Sequence, residues 1–372
     1  MPESDEELNV LLLAGHFEVR GSSAYSLRLA ERLPDHGISA RIVCSDAQQV
    51  QADRRARIAL LEYRRMQTPI WGRVVMDWIS DDLSDDVPDI IHIQSRKILR
   101  RANWLAKELK RPYVLTVHDS LQPREKLAID PTWCRHVIAV SEPVRMELLK
   151  NQKLSHDTVS VIHSGVDLPA EFGNPPVLDP GHVPVIGTAG PLEAVKGLPF
   201  FLGAAQQVLA RRESVEFLIA GAGPEERNLR RLARDLGIAK HVTFVTNLLD
   251  FSQSLSAMDV FCLPSLRQGL GTIMLEAMAR GKAVIASGVG GVYSIVRNNE
   301  TGLVVPPSNS QQLADRIMEL LDDPARARAI GQRARTQVQN EFGVDGMVGQ
   351  TADVYRKFAQ TKVTNGKSKA HA

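Results

Sequence analysis

A loop and a helix start in the second half of the chain carry the clearest pattern for binding chemistry. Residues 264–281 read Pro-Ser-Leu-Arg-Gln-Gly-Leu-Gly-Thr-Ile-Met-Leu-Glu-Ala-Met-Ala-Arg-Gly and follow an apolar run that predicts a strand. Free backbone N–H groups at a helix start, together with the helix dipole, favour a bound diphosphate, and glycines let it approach the backbone closely. Glu276 lies early in the predicted helix, within reach of ribose hydroxyls. The pattern therefore predicts a diphosphate site at this helix start.

Short apolar runs alternate with helical patterns along the whole chain, which predicts parallel α/β construction. The runs are nearly continuous in Val, Ile and Leu, as in strands that are covered on both faces. Strands are predicted in the first half at 9–14, 40–44, 89–93, 113–117, 136–140 and 160–162. In the second half they are predicted at 184–188, 216–220, 241–244, 259–263, 283–286 and 302–305. Helices are predicted at 23–33, 198–211, 225–236, 271–280 and 345–358.

A proline-rich segment divides the two halves. Residues 166–182 contain four prolines and two glycines without periodicity, which is typical of a linker. We therefore expect an N-terminal domain over 1–170, a C-terminal domain over 171–344, a helix over 345–360 that can pack back on the first domain, and a flexible tail over 361–372. Because ligands of open parallel sheets bind outside the carboxyl ends of the strands, the site is expected between the domains.

The bulk composition fits a two-domain globular protein and excludes several classes. A chain of 372 residues is long enough for two cores, and its net charge of +2 with 5% aromatics argues against a nucleic-acid partner. The acidic N-terminus and the lack of a long apolar run predict neither a signal peptide nor a membrane span. Cys44, Cys134 and Cys262 are far apart in sequence, so we expect a buried free thiol at Cys262 and a cytoplasmic protein.

The segment 264–281 resembles the signature of family 4 of the retaining glycosyltransferases. The likeness continues in order through Phe-Leu-Ile-Ala-Gly-Ala-Gly-Pro at 217–224, the flanks 259–265 and 281–287, Gly290-Gly291, and Thr-Gly-Leu-Val-Val at 301–305. The resemblance implies the GT-B fold, an α/β architecture of two facing Rossmann-like doubly wound parallel sheets with an interdomain cleft. It also implies a nucleotide-sugar donor.

Two charged motifs of that family are altered in this chain. The family's Glu-x7-Glu pair is Gln268 and Glu276 here; glutamine still hydrogen-bonds a sugar but brings no charge and is no nucleophile. The family's Gly-Arg-Leu-x3-Lys-Gly has Pro191 in place of arginine and keeps Lys196, either as a phosphate ligand or as a surface charge. Gln268 favours a front-face reaction in which the leaving phosphate helps to deprotonate the acceptor. We hypothesise that Arg267 replaces the missing guanidinium; an exposed loop arginine is the alternative.

The resemblance assigns further residues to the donor. Gly21 and Ser22 match the family's glycine loop and could offer N–H groups to phosphates, which is compatible with a simple helix cap. His118 matches the family's cleft histidine, able to hydrogen-bond a sugar hydroxyl; a structural histidine is the alternative. The predicted catalytic residues are thus His118, Lys196, Gln268 and Glu276. Other positions predicted to bind the donor are Pro191, Gly221, Gly223, Thr246, Asn247, Leu248, Gly269, Leu270, Gly271 and Thr272.

The acceptor is less defined than the donor. The segment from Arg96 to Arg111 holds seven basic residues, one acid and several apolar side chains. It predicts either contact with an anionic membrane or a lipid-linked acceptor at the inner face of the membrane, or a crossover helix with its apolar face on the sheet. The chain has no Asp-x-Asp, so we expect no metal, and the charge of the leaving diphosphate would be met by Lys196 and the helix start.

Two hypotheses of function follow. The first is a retaining transferase that moves a hexose from a UDP- or GDP-sugar to a glycan or glycolipid in cell-surface polysaccharide or glycolipid biosynthesis. The second is a weakened or inactive relative that binds a sugar nucleotide or a glycan. Pro191 and Gln268, which stand where the family has charged residues, support this second hypothesis. A nicotinamide dehydrogenase is excluded, because neither half has Gly-x-Gly-x-x-Gly after its first strand with an acid about 20 residues on.

Overall fold

The computed structural model describes residues 7–16, 22–48, 50–122, 125–152, 154–169, 177–246 and 251–359. Gly21, Asn247 and Leu248, the side chain of Ser22, the middle of the predicted linker and the predicted tail lie outside the described residues. The chain divides into two compact units. The first comprises the chain up to Val140, Arg145–Ile162 and the chain from Met347 onward, and the second comprises Ser141–Val144 and His163–Gly346.

The first unit is built on a seven-stranded parallel sheet in the order β3-β2-β1-β4-β5-β6-β7. Its strands are β1 Leu8–Leu13, β2 Ile38–Cys44, β3 Ala59–Glu62, β4 Ile90–Ile93, β5 Tyr113–Val117, β6 Cys134–Ala139 and β7 Val159–Val161. The helices along this part of the chain are α1 Ser22–Arg32, α2 Ala52–Arg55, α3 Trp71–Asp82, α4 Leu99–Leu109 and α5 Glu142–Gln152. Every residue of β4 and β5 is buried, as expected for strands covered on both faces.

The second unit repeats this arrangement with a six-stranded parallel sheet in the order β10-β9-β8-β11-β12-β13. Its strands are β8 Val185–Ala189, β9 Glu216–Ala220, β10 Val242–Val245, β11 Val260–Leu263, β12 Ala283–Ser287 and β13 Leu303–Val305. Its helices are α6 Leu198–Leu209, α7 Glu226–Asp235, α8 Ser252–Ser256, α9 Thr272–Ala279, α10 Val292–Ile295, α11 Ser310–Asp322 and α12 Pro324–Glu341. The core holds Phe201 packed edge-to-face on Phe217, with ring centroids 5.8 Å apart.

In each sheet the order of the strands changes direction at one pair of neighbouring strands, the switch point. The order turns between β1 and β4 in the first unit, where Val10 pairs with Ile90. It turns between β8 and β11 in the second, where Val260 pairs with Ile186. The loops that leave such a pair diverge to opposite faces of the sheet, and the crevice between them is the usual ligand position in doubly wound folds. The fold thus directs attention to the loops after β8 and β11.

The last helix of the described residues, α13 at Val344–Ala359, packs on the first unit from Met347 onward. Its Val348, Ala352 and Tyr355 are fully buried. The Arg356 guanidinium donates to the backbone carbonyl of His36 at 2.8 Å, and the ring of Phe358 stacks on His136. The chain therefore ends, within the described residues, against the sheet with which it begins.

The predicted fold class is confirmed, with one strand missed. All twelve predicted strands are present with ends within two residues of those expected, and both sheets are parallel. The missing strand is β3, an edge strand of four residues, Ala-Leu-Leu-Glu, whose side chains are at most half-buried. It has neither β-branched residues nor a clear alternation, so sequence patterns give it no signal. The predicted buried thiol at Cys262 is confirmed, since Cys262 lies inside β11.

Candidate active site

A cleft opens at the carboxyl ends of β8, β9 and β11 in the second unit. Parallel strands end at one edge of the sheet, so the loops that follow them meet there. The cleft is lined on one side by the segment after β8 and on the other by the start of the segment after β11. The lining residues are Thr188, Ala189, Gly190, Pro191, Leu192, Lys196, Leu198, Ile219, Ala220, Leu263, Pro264 and Ser265.

Lys196 and Gln268, from the two predicted motifs, are brought together at this cleft. The Lys196 ammonium donates to the Gln268 amide oxygen at 3.2 Å, and the Ser265 hydroxyl donates to the same oxygen at 3.2 Å. The backbone joins the two loops as well, because Leu266 N–H donates to the carbonyl of Val195 at 2.8 Å. Lys196 and Gln268 are both half-buried. The amine is therefore positioned at the cleft without being shielded from a ligand.

Glycines without room for a side chain hold these loops in place. A Cβ on Gly197, whose φ is +64°, would lie 2.1 Å from the carbonyl oxygen of Pro264. On the other side of the loop after β11, a Cβ on Gly290 or Gly291 would lie 1.9 Å from the carbonyl oxygens of Gln268 and Gly269 respectively. The loop after β11 is thus packed between two glycine segments that approach it at backbone distance.

The helix start predicted from sequence is present one residue later than expected. Gly271 caps α9 with a φ of +97°, a left-handed conformation that glycine adopts without strain. Gly269 and Leu270 are buried, whereas Thr272 and Glu276, the first and fifth residues of the helix, are half-buried. A Cβ on Gly271 would lie 3.6 Å from Gln268 Cγ. The helix start therefore belongs to the same cluster as Lys196 and Gln268.

The loop after β9 packs against the backbone of the loop after β8. A Cβ on Gly221, whose φ is +148°, would lie 1.9 Å from the Gly190 carbonyl oxygen, and one on Gly223 would lie 2.5 Å from that of Leu192. Both glycines thus shape the loop that carries Pro191, which is half-buried. Thr246 follows β10 and is exposed. Arg267 is half-buried beside Gln268 in the loop after β11.

His118 lies in the first unit, directly after β5, and is half-buried. Its Nε2 is 3.0 Å from the amide oxygen of Gln94, and its ring makes a T-shaped contact with the ring of Tyr25, with centroids 5.0 Å apart. Burial lowers the pKa of the His118 imidazole to about 4, and the charge of Asp119 opposes part of that shift. The ring is therefore neutral near pH 7, with one donor and one acceptor nitrogen.

Sequence reasoning missed Gln94, the residue that contacts His118. Gln94 follows β4, and His118 follows β5, its neighbour in the sheet. The signal was present, because polar residues that follow adjacent parallel strands come to the same sheet edge. Only the tertiary structure shows that the two side chains meet.

The segment from Arg96 to Arg111 contains the whole of α4, and three of its apolar side chains are turned inward. Ile98, Leu99 and Leu105 are at most 2% exposed. Arg96 lies 3.4 Å from Glu125, and Arg101 donates to the carbonyl of Thr68 at 2.8 Å. This is the packing expected of a crossover helix. Only the exposed basic side chains of the segment are therefore available for the predicted contact with a membrane, which stays a prediction.

Neither a membrane-spanning helix nor a cluster of metal-ligating side chains is found within the described residues. None of the helices there combines the length and the apolar content needed to cross a bilayer. Over the same part of the chain, no three His, Cys, Asp or Glu side chains are grouped as metal ligands would be.

Comparison with known proteins agrees with this architecture. The family described as "Glycosyl transferases group 1" matches residues 175–337, and the one described as "Glycosyltransferase Family 4" matches residues 19–169. The crystal structure of Anabaena HepE in complex with UDP and glucose superimposes with a TM-score of 0.79 at 19% identity, covering 94% of this chain and all of that one. The fold is therefore GT-B.

Two curated relatives define the family more closely. The alpha-maltose-1-phosphate synthase of Mycolicibacterium smegmatis is 30% identical over 286 residues, which are 66% of this chain and 73% of the relative. A GDP-mannose-dependent alpha-(1-6)-phosphatidylinositol monomannoside mannosyltransferase of Mycobacterium tuberculosis is 35% identical over 187 residues, 47% of this chain and 48% of the relative. The match thus spans about half the length of that second relative. The chain belongs to the group 1 glycosyltransferases of the family 4 type.

Proposed function

We propose that this protein is a retaining glycosyltransferase that moves a hexose from a UDP- or GDP-sugar to a glycan or a lipid-linked acceptor. The observation that carries the proposal is the cluster at the switch point of the second unit. There the Lys196 ammonium contacts Gln268, and Gln268 adjoins the glycine that begins α9. A cation and a helix start at one cleft are the groups that a diphosphate needs.

The proposed roles follow from the chemistry of each side chain. Lys196 and the N–H groups at the start of α9 bind the diphosphate, and Glu276 accepts hydrogen bonds from ribose hydroxyls. Gln268 hydrogen-bonds hydroxyls of the donor sugar through its amide, and His118 accepts one from another hydroxyl. Further donor contacts are proposed for Gly21, Ser22, Thr246, Asn247 and Leu248, by likeness to the family.

The proposed reaction is a front-face displacement. The bond between the anomeric carbon and the leaving phosphate oxygen breaks, a bond from that carbon to the acceptor oxygen forms on the same face, and the acceptor proton passes to the leaving phosphate. Gln268 has no carboxylate to form a covalent intermediate, which supports this route over double displacement. Lys196 and the helix start stabilise the charge that develops on the leaving group, and no metal is required in this proposal.

Calorimetry tests donor binding directly. We expect one class of donor to bind among UDP-, GDP- and ADP-hexoses, and Lys196→Ala to weaken that binding about 10- to 150-fold, the equivalent of one charge-assisted hydrogen bond. Lys240→Ala is the matched control, because Lys240 is exposed beside the amino end of β10. Equal affinity of the parent protein and Lys196→Ala would rule out the proposed phosphate site.

The alternative is a binding protein without turnover, and Pro191 and Gln268 are the observations that favour it. Donor hydrolysis without an acceptor, followed by transfer to glycan and lipid extracts, separates the two. Donor binding with neither hydrolysis nor transfer would establish the alternative.

A lipid-linked acceptor in glycolipid or cell-surface polysaccharide synthesis would bring the enzyme to the inner face of the membrane. Lys97, Arg100 and Lys107 are three exposed basic residues of and beside α4 suited to an anionic surface. Sedimentation with anionic vesicles should be lost in the triple substitution of these three residues to Glu. If the parent protein stays in the supernatant, peripheral membrane contact is excluded.

A further inference from the structure

One helix of the first unit, α3, leaves a row of large apolar side chains exposed. Four of the nine exposed large apolar side chains among the described residues lie within positions 70–78, and two of these four are tryptophans. Trp71 is 51% exposed and Trp78 is 55% exposed, with the exposed Val74 between them. Because positions i, i+3 and i+7 lie on one side of an α-helix, Trp71, Val74 and Trp78 form a continuous apolar row, with the spacing of a helix–helix seam.

Another side of α3 holds the helix firmly on the first unit. Val75, Met76 and Ile79 are buried. A Cβ on Gly72 would lie 2.7 Å from the carbonyl oxygen of Met66, so the start of the helix packs at backbone distance against the preceding turn. The apolar row is therefore additional to the side that α3 buries in its own unit. A contiguous apolar surface of this kind is typical of an interaction site.

The exposed charges along and beside α3 are separated by sign. Positions 64–73 contain three arginines and no acid, and positions 77–86 contain five aspartates and no base. All eight of these side chains are exposed. The helix dipole favours the opposite order, with acids at the start of a helix and bases at its end. The separation therefore does not stabilise α3 itself, and its reason must lie in what α3 contacts.

A second copy of α3 in the antiparallel direction is complementary to both features. A two-fold axis that places Trp71 of one copy beside Trp78 of the other reverses the helix, so that each acidic end meets an arginine-rich end. Asp81, which follows Trp78 by one turn, then lies beside the turn that precedes Trp71 in the second copy. In that turn the Arg65 guanidinium packs over the Trp71 ring, 5.9 Å from its centroid.

We propose that this protein forms a two-fold symmetric dimer through α3, with the apolar row at its centre and a pair of Arg65 with Asp81 at each end. In a two-fold interface one patch meets itself, so the patch must be complementary to itself, as this one is. An anionic membrane is the poorer partner, because Asp77 and Asp81 lie beside the apolar row and would face the lipid phosphates. The dimer does not depend on donor binding or on transfer.

The size of α3 sets the expected strength of the dimer. A helix of 12 residues is about 18 Å long, so a pair of such helices buries less than the roughly 800 Å² per partner of a standard interface. We therefore expect a reversible dimer with a Kd on the order of micromolar. In sedimentation velocity of the full chain, the mass should rise with concentration from the 41.0 kDa of one chain toward twice that value.

Substitution of the two tryptophans tests the apolar row. Trp71→Gln together with Trp78→Gln removes both large side chains and keeps good helix formers, and the dimer should weaken at least about 100-fold. Met146→Gln is the matched control, because Met146 is 56% exposed on α5, another helix of the first unit. It should keep the parent's Kd. A dimer that persists unchanged in the double tryptophan variant would overturn the proposal.

Charge reversal tests the antiparallel arrangement at two exposed positions, where the core is untouched. Arg65→Glu replaces two attractive pairs with two repulsive ones and should weaken the dimer roughly 10-fold. Asp81→Arg should do the same, and both changes in one chain should restore the parent's Kd. In a parallel dimer each position would meet itself, so that neither single change would matter. Equal Kd values for all four proteins would therefore overturn the antiparallel dimer.

Two results for the parent protein would also contradict the proposal. The first is a chain that stays monomeric over about a hundred-fold range of concentration around the expected Kd. The second is a monomer that sediments with vesicles of phosphatidylcholine and loses this binding in the double tryptophan variant, since α3 would then contact a membrane in place of a second copy.

Discussion

The ammonium of Lys196 donates to the amide oxygen of Gln268 at 3.2 Å, across the cleft at the switch point of the second unit. In the family's pattern the same two positions carry lysine and glutamate, with an arginine where Pro191 stands. That pattern and the present one both leave one net positive charge, because an arginine and a glutamate are lost together. The pair of departures is therefore balanced, and the group that contacts Lys196 at position 268 is an amide and not a carboxylate.

The first prediction follows from this balance. Gln268→Glu places a carboxylate against Lys196, cancels the net charge for a diphosphate and should weaken binding of the donor's nucleoside diphosphate about 10-fold. Pro191→Arg in the same protein should restore the charge and most of the affinity. The four proteins of this double-mutant cycle are compared by calorimetry at low salt, where a non-zero coupling energy is expected. Additive effects would mean that the side chains at positions 191 and 268 do not act on the same bound diphosphate.

Arg267 gives the second prediction. If its guanidinium replaces the family's arginine, Arg267→Ala should lower kcat at saturating donor by about 10-fold or more, since one charge-assisted hydrogen bond to the leaving group is lost. Arg234→Ala, an exposed arginine in the last turn of α7, is the control. Adding Pro191→Arg should rescue Arg267→Ala. If Arg267→Ala keeps the parent's turnover while Lys196→Ala is inactive, Arg267 is a surface residue without a role at the leaving group.

The third prediction concerns the glycines behind the loop after β11. In Gly291→Ala the new methyl would lie 1.9 Å from the Gly269 carbonyl oxygen and 2.7 Å from Leu270 Cα, so the loop must move. Overpacking of this kind costs about 1–3 kcal/mol, and we expect a lower Tm together with weaker donor binding. Gly346→Ala, where a Cβ meets nothing within 4 Å, should change neither. A stable Gly291→Ala protein with the parent's donor affinity would show that the loop after β11 does not contribute to donor binding.

The fourth prediction is a loss of stability in acid. Burial lowers the pKa of His92 to about 3, and that of His118 and His136 to about 4. Unfolded histidines titrate near 6.5, so between about pH 4 and 6.5 the unfolded state binds more protons and stability falls as the pH falls. Calorimetric Tm values from pH 7.5 to 4.5 should decline below pH 6.5.

His136→Gln isolates one of these groups. His136 hydrogen-bonds Ser160 at 2.8 Å and stacks on Phe358. The variant should show a shallower decline of Tm than the parent, whereas His156→Gln, at an exposed position, should follow the parent. Parallel curves for all three proteins would show that His136 does not titrate as its burial implies.

Much of the architecture could be read from sequence because it depends on local patterns. Strands such as β5 and β9 were placed to the residue, since buried parallel strands are continuous apolar runs between turn residues. The start of α9 followed from Gly271. The edge strand β3 was missed, because it is held by its pairing with β2 and not by its own residues.

The features of the site also divide into those that sequence patterns predict and those that only the tertiary structure creates. The glycine loop and the helix start at Gly271 are local features that predict a diphosphate site, and Glu276 follows from its place in that helix. Lys196 and Gln268 were assigned to the same site through the resemblance to family 4. The hydrogen bond between Lys196 and Gln268 joins positions 72 residues apart, and only the meeting of the loops after β8 and β11 creates it.

By itself, the sequence determined the fold class, because periodicity and turn residues encode it within short windows, and the family, because the motifs keep their order and spacing; for the donor site it gave predictions. Only the tertiary structure decided that His118 meets Gln94 and the ring of Tyr25, because these residues follow or lie beside different elements of the first unit. Contacts of this kind depend on which strands and helices are neighbours, and no short window of sequence contains that information.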